Sequence, residues 1–187
     1  MLHRELGQDR RAMRTDLGTP LTLTLPGLGQ VSTISLPTTE NNMDRELLLK
    51  LWDESWDQGI WIAPWSKAVQ GLSPKQAAWS PAADRHCIWQ IVHHVCIWRE
   101  YTLTAVDGRS GPSRKEVESG NFAMPASRTA VEWRRSVDRL QATHNDIRAA
   151  IATASSLERL QYHLGHDCYH LGQIMYLRAT QGMGPIE

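Results

Sequence analysis

The sequence predicts an all-α protein whose core is a four-helix bundle. Apolar residues recur at intervals of three and four in four long segments between residues 42 and 181, which is the periodicity of amphipathic helices. Connections rich in glycine, proline and serine separate these segments. The 187 residues are enough for one domain with a sizeable core and too few for two. Four long helices joined by loops are typical of a helical bundle.

The first half of the chain contains two of the predicted long helices. The first is capped by Asn42 or Asp44, runs to about residue 57, and places four apolar residues on one side: Leu47, Leu48, Leu51 and Trp52. A short helix ending near Gly71 follows, and Ser73 opens a further turn. The second long helix begins near residues 84–86 and ends before residue 107.

The second half contains the other two long helices. Residues 107–126 hold several glycines, prolines and serines and are predicted to be a surface loop. The third helix covers about 127–153, and the fourth covers about 156–181 and stops at Gly182. Gly165, Gly172 and Ala179 follow at seven-residue intervals on the fourth helix. We expect this small-residue stripe to let a neighbouring helix approach closely.

Residues 1–42 differ from the predicted bundle domain, residues 43–187. Leu21, Leu23 and Leu25 alternate with threonines, and Pro26 and Gly27 follow. Period-two alternation ending in turn residues favours a short hairpin or an irregular extended arm, and a poorly ordered tail is the alternative. Met43 precedes the first strong helical pattern, so a translation start at Met43 is a further hypothesis.

Composition excludes several classes of partner. The 20 basic and 20 acidic residues give a formal net charge of zero, and no basic cluster is dense enough for nucleic-acid binding. We expect no membrane span, because no uninterrupted apolar run approaches about 18 residues, and no secretory signal. The three cysteines are scattered and odd in number. They do not form a disulfide framework, which favours a cytoplasmic location.

The segment HLGHDCYHLGQI in the fourth helix contains the first metal-binding signal. His166 and His170 are four residues apart, so a helix places both imidazoles on one face, one turn apart. This arrangement suits two ligands of a single ion. A pair of ordinary core or surface histidines is the alternative, and the pair alone favours that alternative slightly.

A third ligand has to come from another helix, and the second helix offers His93 and His94. The helical arc through His94 is almost entirely apolar and faces the core, whereas the arc through His93 is largely polar. Three buried imidazoles without partners are unfavourable, and a metal ion would satisfy them. His94 is therefore the candidate ligand, and His93 is expected to point outward. His144, His163 and the cysteines are expected to have structural roles.

Two motifs resemble those of one known family. HCIWQIVHHVCIW followed by EYTLTAVDG, and HDCYHLGQI near the C-terminus, are similar to the DinB/YfiT-like superfamily, whose members are regarded as metal-dependent enzymes. The resemblance covers about residues 43–181. It implies a four-helix bundle with one metal ion bound by His94, His166 and His170. It also implies reactions that use low-molecular-weight thiols, an association with bacterial stress, and a homodimer.

Three histidine ligands leave at least one coordination position for water or substrate, which is typical of a catalytic site. Neutral imidazoles leave the ion its full charge, which favours ionisation of bound water or of a thiol. Zinc is the expected metal, and nickel, iron and manganese accept the same ligands. Asp167 and Gln173 are candidates to orient the ligand rings, although Asp167 is expected to be partly exposed. No catalytic acid, base or nucleophile stands out.

Two functions follow from these observations. The first is a metal-dependent enzyme that acts on a small molecule, as a thiol-dependent S-transferase or isomerase or as a hydrolase. The second is a non-catalytic metal- or ligand-binding bundle that acts as a dimeric interaction or sensing module. An enzyme keeps an open metal position beside a pocket, whereas a structural site is closed by a fourth protein ligand.

Overall fold

The computed structural model describes residues 39–186, and this part of the chain is entirely helical. Four long helices, α1 (Thr39–Asp57), α4 (Ile88–Asp107), α6 (Ala130–Thr153) and α7 (Gln161–Thr180), form the bundle. Three short helices lie in the connections: α2 (Trp65–Val69), α3 (Pro74–Ala77) and α5 (Arg114–Gly120). The predicted hairpin or arm lies outside the described residues, apart from the last few residues before 43.

The long helices pack as a closed ring. α1 packs against α6, α6 against α4, α4 against α7, and α7 against α1. The short α2 covers α1 and α7, and α5 packs against α4. The predicted all-α bundle is confirmed.

Two helix boundaries differ from the prediction at the N-terminal ends. α1 begins at Thr39, so Asn42 lies inside the helix and does not cap it. No proline or glycine lies between Pro37 and Asn42, so no residue there prevents the helix from beginning before Asn42. α7 begins at Gln161 and not near residue 156, because Ser156 accepts a hydrogen bond from the amide of Glu158 in a preceding turn.

The predicted loop over 107–126 contains the helix α5, and the prediction was wrong there. Ser113 accepts a hydrogen bond from the amide of Glu116, and the Glu116 side chain accepts one from the amide of Ser113. This reciprocal capping box stabilises a helix start. The Ser-x-x-Glu signal is present in the sequence, but the surrounding glycines and prolines obscured it.

The expectation of a close helix approach at the small-residue stripe was also wrong. A methyl group added at Gly165 or at Gly172 would meet no atom within 4 Å, so no neighbouring helix packs there. The stripe lies on the exposed side of α7, as does the row of Tyr162, Tyr169 and Tyr176. Seven-residue spacing defines one face of a helix, but it does not say whether a partner covers that face.

Two compositional expectations can be compared with the described residues. Cys87, Cys96 and Cys168 are all free thiols. Within residues 39–186 no helix is long and apolar enough to cross a bilayer.

The core contains two apolar clusters with a buried polar layer between them. One cluster includes Trp65, Val92, Leu140 and Leu171, and the other includes Trp52, Leu103, Ile147 and Leu160. Between them along the helices lie the buried polar residues Ser55, Arg99, Thr143, His144, His163 and Asp167. Because buried polar groups need partners, side-chain hydrogen bonds between helices and the Arg99–Asp167 ion pair hold much of this layer.

Arg99 is the centre of the polar layer. Its side chain is fully buried, and its guanidinium forms an ion pair with Asp167 of α7. The same guanidinium donates to the carbonyl oxygen of Leu140 at 3.1 Å and to Thr143 Oγ1 at 3.3 Å, both on α6. It also lies 5.1 Å from the ring of Trp52 on α1. One α4 side chain therefore contacts all three other long helices.

His144 fills the layer on the α1 side. Its ring stacks on Trp52 at 4.9 Å between centroids and lies 4.8 Å from the ring of Trp56. Burial lowers the pKa of His144 to about 3, and the nearby Arg99 cation acts in the same direction. The ring is therefore neutral at pH 7 and has the structural role expected from the sequence.

Replacing Arg99 by methionine should destabilise the fold. The substitution leaves the Asp167 carboxylate buried without its cation, which costs about 3–5 kcal/mol of unfolding free energy. Urea unfolding of the metal-free chain measures this loss. The double variant Arg99→Met/Asp167→Leu, which removes both charges, should recover much of it. An Arg99→Met protein as stable as the wild type would show that the ion pair is not required.

The pH dependence of stability should report the buried state of His144. The unfolded chain binds a proton at His144 below about pH 6.5, whereas the folded chain resists it down to about pH 3. The stabilisation that comes from burying a neutral His144 is therefore complete above about pH 6.5. As the pH falls from 6.5 towards 3, the unfolding free energy decreases by up to about 1.4 kcal/mol per pH unit. We expect His144→Phe to show a shallower slope of unfolding free energy between pH 6.5 and 4.5. Parallel curves for the two proteins would contradict the assignment.

Candidate metal centre

Helices α4 and α7 bring three histidines to one point. His94 comes from α4, and His166 and His170 come from successive turns of α7. The three ligand nitrogens lie within 4.8 Å of one another, and Nε2 of His94 is 3.0 Å from Nε2 of His166. The His170 ring lies 4.4 Å from the His94 ring and 4.5 Å from the His166 ring. The structure thus assembles the set chosen from the sequence, and metal binding by it stays a prediction.

Each ring of the triad has an oxygen atom beside its Nδ1. The oxygens are Asn121 Oδ1 at 2.7 Å from His94, Gln173 Oε1 at 2.8 Å from His170, and Asp167 Oδ1 at 3.4 Å from His166. An oxygen acceptor stabilises the tautomer whose Nδ1 carries the proton. This leaves the lone pair of each Nε2 unprotonated.

The assignment of the Asn121 oxygen has independent support. Its Oδ1 also accepts a hydrogen bond from the indole N–H of Trp98, at 2.8 Å. Indole nitrogen is only a donor, so the Asn121 atom between Trp98 and His94 is the carbonyl oxygen and not the amide nitrogen. His94 therefore donates from Nδ1 and directs its Nε2 lone pair towards His166.

This donor set fits a metal ion. In the favoured tautomers, the lone pairs of two imidazoles face each other across 3.0 Å with no proton between them, which is repulsive. Nitrogen ligands lie about 2.0–2.1 Å from zinc, so two ligands of one ion are separated by about 3.0–3.4 Å. A cation in this position would remove the repulsion and satisfy the lone pairs.

The electrostatic environment keeps His94 and His170 ready to bind a cation at neutral pH. Burial, followed by the neighbouring His170, lowers the pKa of His94 to about 4. Burial also lowers the pKa of His170. Because these rings are neutral near pH 7, a metal ion does not have to displace protons from them.

Asp167 is more deeply buried than expected from the sequence. Its side chain is 1% exposed, so the expectation of a partly exposed residue was wrong. Burial alone would raise the pKa of its carboxyl, but the Arg99 guanidinium and the hydrogen bond with His166 outweigh burial and lower it. The ionised carboxylate uses one oxygen for Arg99 and has the other near His166. The position of Asp167 along α7 does not indicate that α4 places the Arg99 guanidinium beside its carboxylate.

A second group of possible ligands shares His166. The side chains of His163, His166 and Asp167 also offer ligand atoms within 4.8 Å of one another. However, Asp167 is already paired with Arg99, whose positive charge opposes a second cation nearby. His163 uses its Nε2 for a 2.8 Å hydrogen bond with Thr102 Oγ1, which leaves only its buried Nδ1 as a ligand atom. The triad containing His94 is therefore the better cation site.

Asn121 and Phe122 are site residues that the sequence reasoning missed. Both follow the C-terminal end of α5, and the Phe122 ring stacks on the His94 ring at 4.4 Å. Helical periodicity relates residues within one helix and gives no contact between a loop residue and α4. The missed α5 capping box was the one signal that this segment has a defined structure.

His93 lies outside the triad. Its Nε2 donates to the carbonyl oxygen of Gly120 at 3.0 Å, and its Nδ1 accepts from Arg139 at 3.1 Å. Both ring nitrogens are therefore occupied by protein groups. The arc argument that separated His93 from His94 agrees with the structure, although His93 is half-buried and not fully outward-facing.

The triad is covered on most sides but open on one. His94 and His170 are 8% and 5% exposed, whereas the His166 side chain is 30% exposed. Among the described residues, no fourth histidine, cysteine, aspartate or glutamate joins this group. An ion at the triad would keep a position accessible from the His166 side.

Removing the Asn121 side chain should weaken metal binding without removing a ligand. Asn121→Ala frees the Nδ1 of His94, so the ring can rotate or change tautomer. Loss of such an orienting partner weakens metal affinity by about 10–100-fold. Competition with a chromophoric chelator measures the dissociation constant. Asn145→Ala, at an exposed position on α6, is the matched control and should leave the constant unchanged. Equal affinities for both variants would mean that Asn121 does not orient His94.

Comparison with known proteins gives one match. Residues 63–174 match the family model of the DinB superfamily. This span is more than half of the chain, runs from before α2 into α7, and contains all three residues of the triad. No curated protein and no solved structure matches the chain. The helical bundle and the family match agree, and the chain belongs to the DinB superfamily.

Proposed function

We propose that this protein is a metal-dependent enzyme that acts on a small molecule. The observation that carries the proposal is the set of three converging imidazoles, each with an oxygen partner on Nδ1. Among the described residues, no fourth histidine, cysteine, aspartate or glutamate closes the site. Structural metal sites are usually closed by four protein ligands, whereas catalytic sites use three.

His94, His166 and His170 would hold the ion in this proposal. A divalent ion bound there supplies Lewis acidity and lowers the pKa of a water or thiol that it coordinates. The role of the protein is to fix the three rings. Asn121, Asp167 and Gln173 hold the tautomers, and Arg99 holds Asp167.

The proposed reaction is either a thiol-dependent S-transfer or isomerisation or a hydrolysis. Both reactions need one open position for the nucleophile, and the exposed side of His166 provides access to it. Zinc is the proposed metal because imidazole ligands suit it, and nickel, iron and manganese are the alternatives. The free thiols of all three cysteines are compatible with a reducing compartment such as the cytoplasm.

One observation favours the second candidate, a dimeric interaction or sensing module. Trp61, in the connection between α1 and α2, is 106% exposed and has a φ of 65°, in the left-handed region that non-glycine residues rarely adopt. Large exposed aromatic residues are typical of protein interfaces. In this candidate the metal or a ligand stabilises the bundle, and the surface around Trp61 binds a second copy.

Metal analysis by mass spectrometry on protein purified without a histidine tag tests the site. We expect near-stoichiometric metal in the wild type and its loss in His94→Ala and in His170→Ala. His93→Ala is the matched control, because it removes the adjacent imidazole outside the triad and should retain the metal. Thiol-transferase and hydrolase screens of the loaded protein then separate the two reaction classes. A wild-type protein that takes up no metal after reconstitution would refute the enzyme proposal.

A further inference from the structure

A cavity of about 540 Å³ lies between α7 and the segment that precedes α4. Its lining includes His86, Ile91, Tyr169, Gly172, Gln173 and Leu177. This volume is within the range of small-molecule sites in proteins, about 300–1,000 Å³. The cavity is therefore large enough for part or all of a small organic molecule.

The cavity is adjacent to the metal centre. Gln173 accepts a hydrogen bond from Nδ1 of His170 at 2.8 Å and donates to the hydroxyl of Tyr169 at 3.0 Å. The Tyr169 ring also lies 5.0 Å from the His170 ring. Two cavity residues therefore contact one ring of the triad directly.

A second connection runs through aromatic stacking. The His86 ring stacks on Phe122 at 3.6 Å between centroids, and Phe122 stacks on His94 at 4.4 Å. On the α4 side, two stacked rings, His86 and Phe122, thus lie between the cavity and His94. A molecule in the cavity is therefore one side chain away from His170 and two side chains away from His94.

The chemistry of the walls favours an uncharged apolar group. Ile91 and Leu177 are buried aliphatic residues, and Tyr169 and Tyr176 present exposed rings. The formal charges in the lining, Asp84 and Arg85, lie 3.5 Å apart as an ion pair with mostly exposed side chains. Since these charges compensate each other, the cavity offers apolar and aromatic contact and no net charge for an ionic ligand.

Another cavity, of about 610 Å³, is a weaker candidate for this role. It is lined by the N-terminal half of α1 and by residues 155–158 and 161, and it includes no residue of the triad and none of the three oxygen partners. A molecule bound there would have no contact with the metal centre.

We infer that the cavity beside His170 binds the apolar portion of the substrate, an uncharged aryl or alkyl group, while the reacting group extends to the metal centre. This inference rests on the proposed function for the identity of the reacting site. The apolar cavity itself does not depend on the metal. Gly172 is essential to its shape, because a glycine at this position leaves the space above α7 empty.

Two substitutions on α7 provide a matched pair. Gly172→Leu places a side chain in the cavity, whereas Gly165→Leu places the same side chain on the same exposed stripe, outside the cavity lining. A Cβ at either position meets no atom within 4 Å, and both positions are helical. Leucine has a higher helix propensity than glycine, so both variants should fold.

The probes are two metal-binding hydroxamates and one neutral dye. Acetohydroxamic acid measures the metal centre alone, and 3-phenylpropionohydroxamic acid adds an aryl tail. Their dissociation constants on the metal-loaded full chain are measured by calorimetry. N-phenyl-1-naphthylamine, whose fluorescence rises in apolar sites, measures the cavity in the metal-free full chain.

We expect the aryl tail to improve binding to the wild type on the order of tenfold, by burying apolar surface. This gain should persist in Gly165→Leu and disappear in Gly172→Leu, while acetohydroxamic acid binds all three proteins equally. The dye should bind the wild type and Gly165→Leu but not Gly172→Leu. No gain from the tail in the wild type, or a gain that survives in Gly172→Leu, would overturn the inference.

The two proposals fail in different ways. If neither hydroxamate binds but the dye binds in the expected pattern, the metal-dependent function fails and the apolar cavity stands as a ligand site. If acetohydroxamic acid binds but the tail and the dye give no cavity-dependent signal, the metal centre stands and the inference about the substrate fails. If none of the three probes binds, both proposals fail.

Discussion

The buried ion pair between Arg99 and Asp167 is the constraint on which the bundle and the candidate site both depend. A guanidinium with no exposed surface is unfavourable unless its charge is compensated, and here a carboxylate of α7 compensates it. Its Nη1 donates to oxygen atoms of Leu140 and Thr143 on α6. Because these partners belong to different helices, the pair fixes the position of α4 relative to α6 and α7. Apolar packing alone specifies such a register less strictly, since leucine and isoleucine contacts tolerate sliding.

The same pair connects the fold to the chemistry of the site. Asp167 directly follows His166, and its second oxygen lies near the Nδ1 of that ring. Arg99 therefore keeps ionised the carboxylate that lies beside a candidate ligand. The opposite side of the site depends on weaker contacts. There Asn121 and Phe122, from the segment after α5, hold His94 by one hydrogen bond and one stacked ring.

This arrangement divides the site into a buried side and an accessible side. The buried side lies between α4 and α7, which the polar layer joins. The accessible side contains the partly exposed His166, the cavity lined by Tyr169 and Gly172, and the short connections before α4 and after α5. A site that must bind a metal tightly and exchange a small molecule needs both properties. The glycine stripe of α7, which we expected to contact another helix, instead leaves this side open.

The sequence by itself determined the helix class and the candidate ligand set, because both rest on local spacing, and two motifs indicated the family. Apolar periodicity gave the four long helices, the four-residue interval paired His166 with His170, and the apolar arc distinguished His94 from His93. Only the tertiary structure decided that Asp167 is buried, that Asn121 orients His94, and that the Gly172 side of α7 faces a cavity. These properties depend on which group of a distant segment occupies the space beside a residue. Helical periodicity fixes the direction in which a side chain points, but not what it meets there.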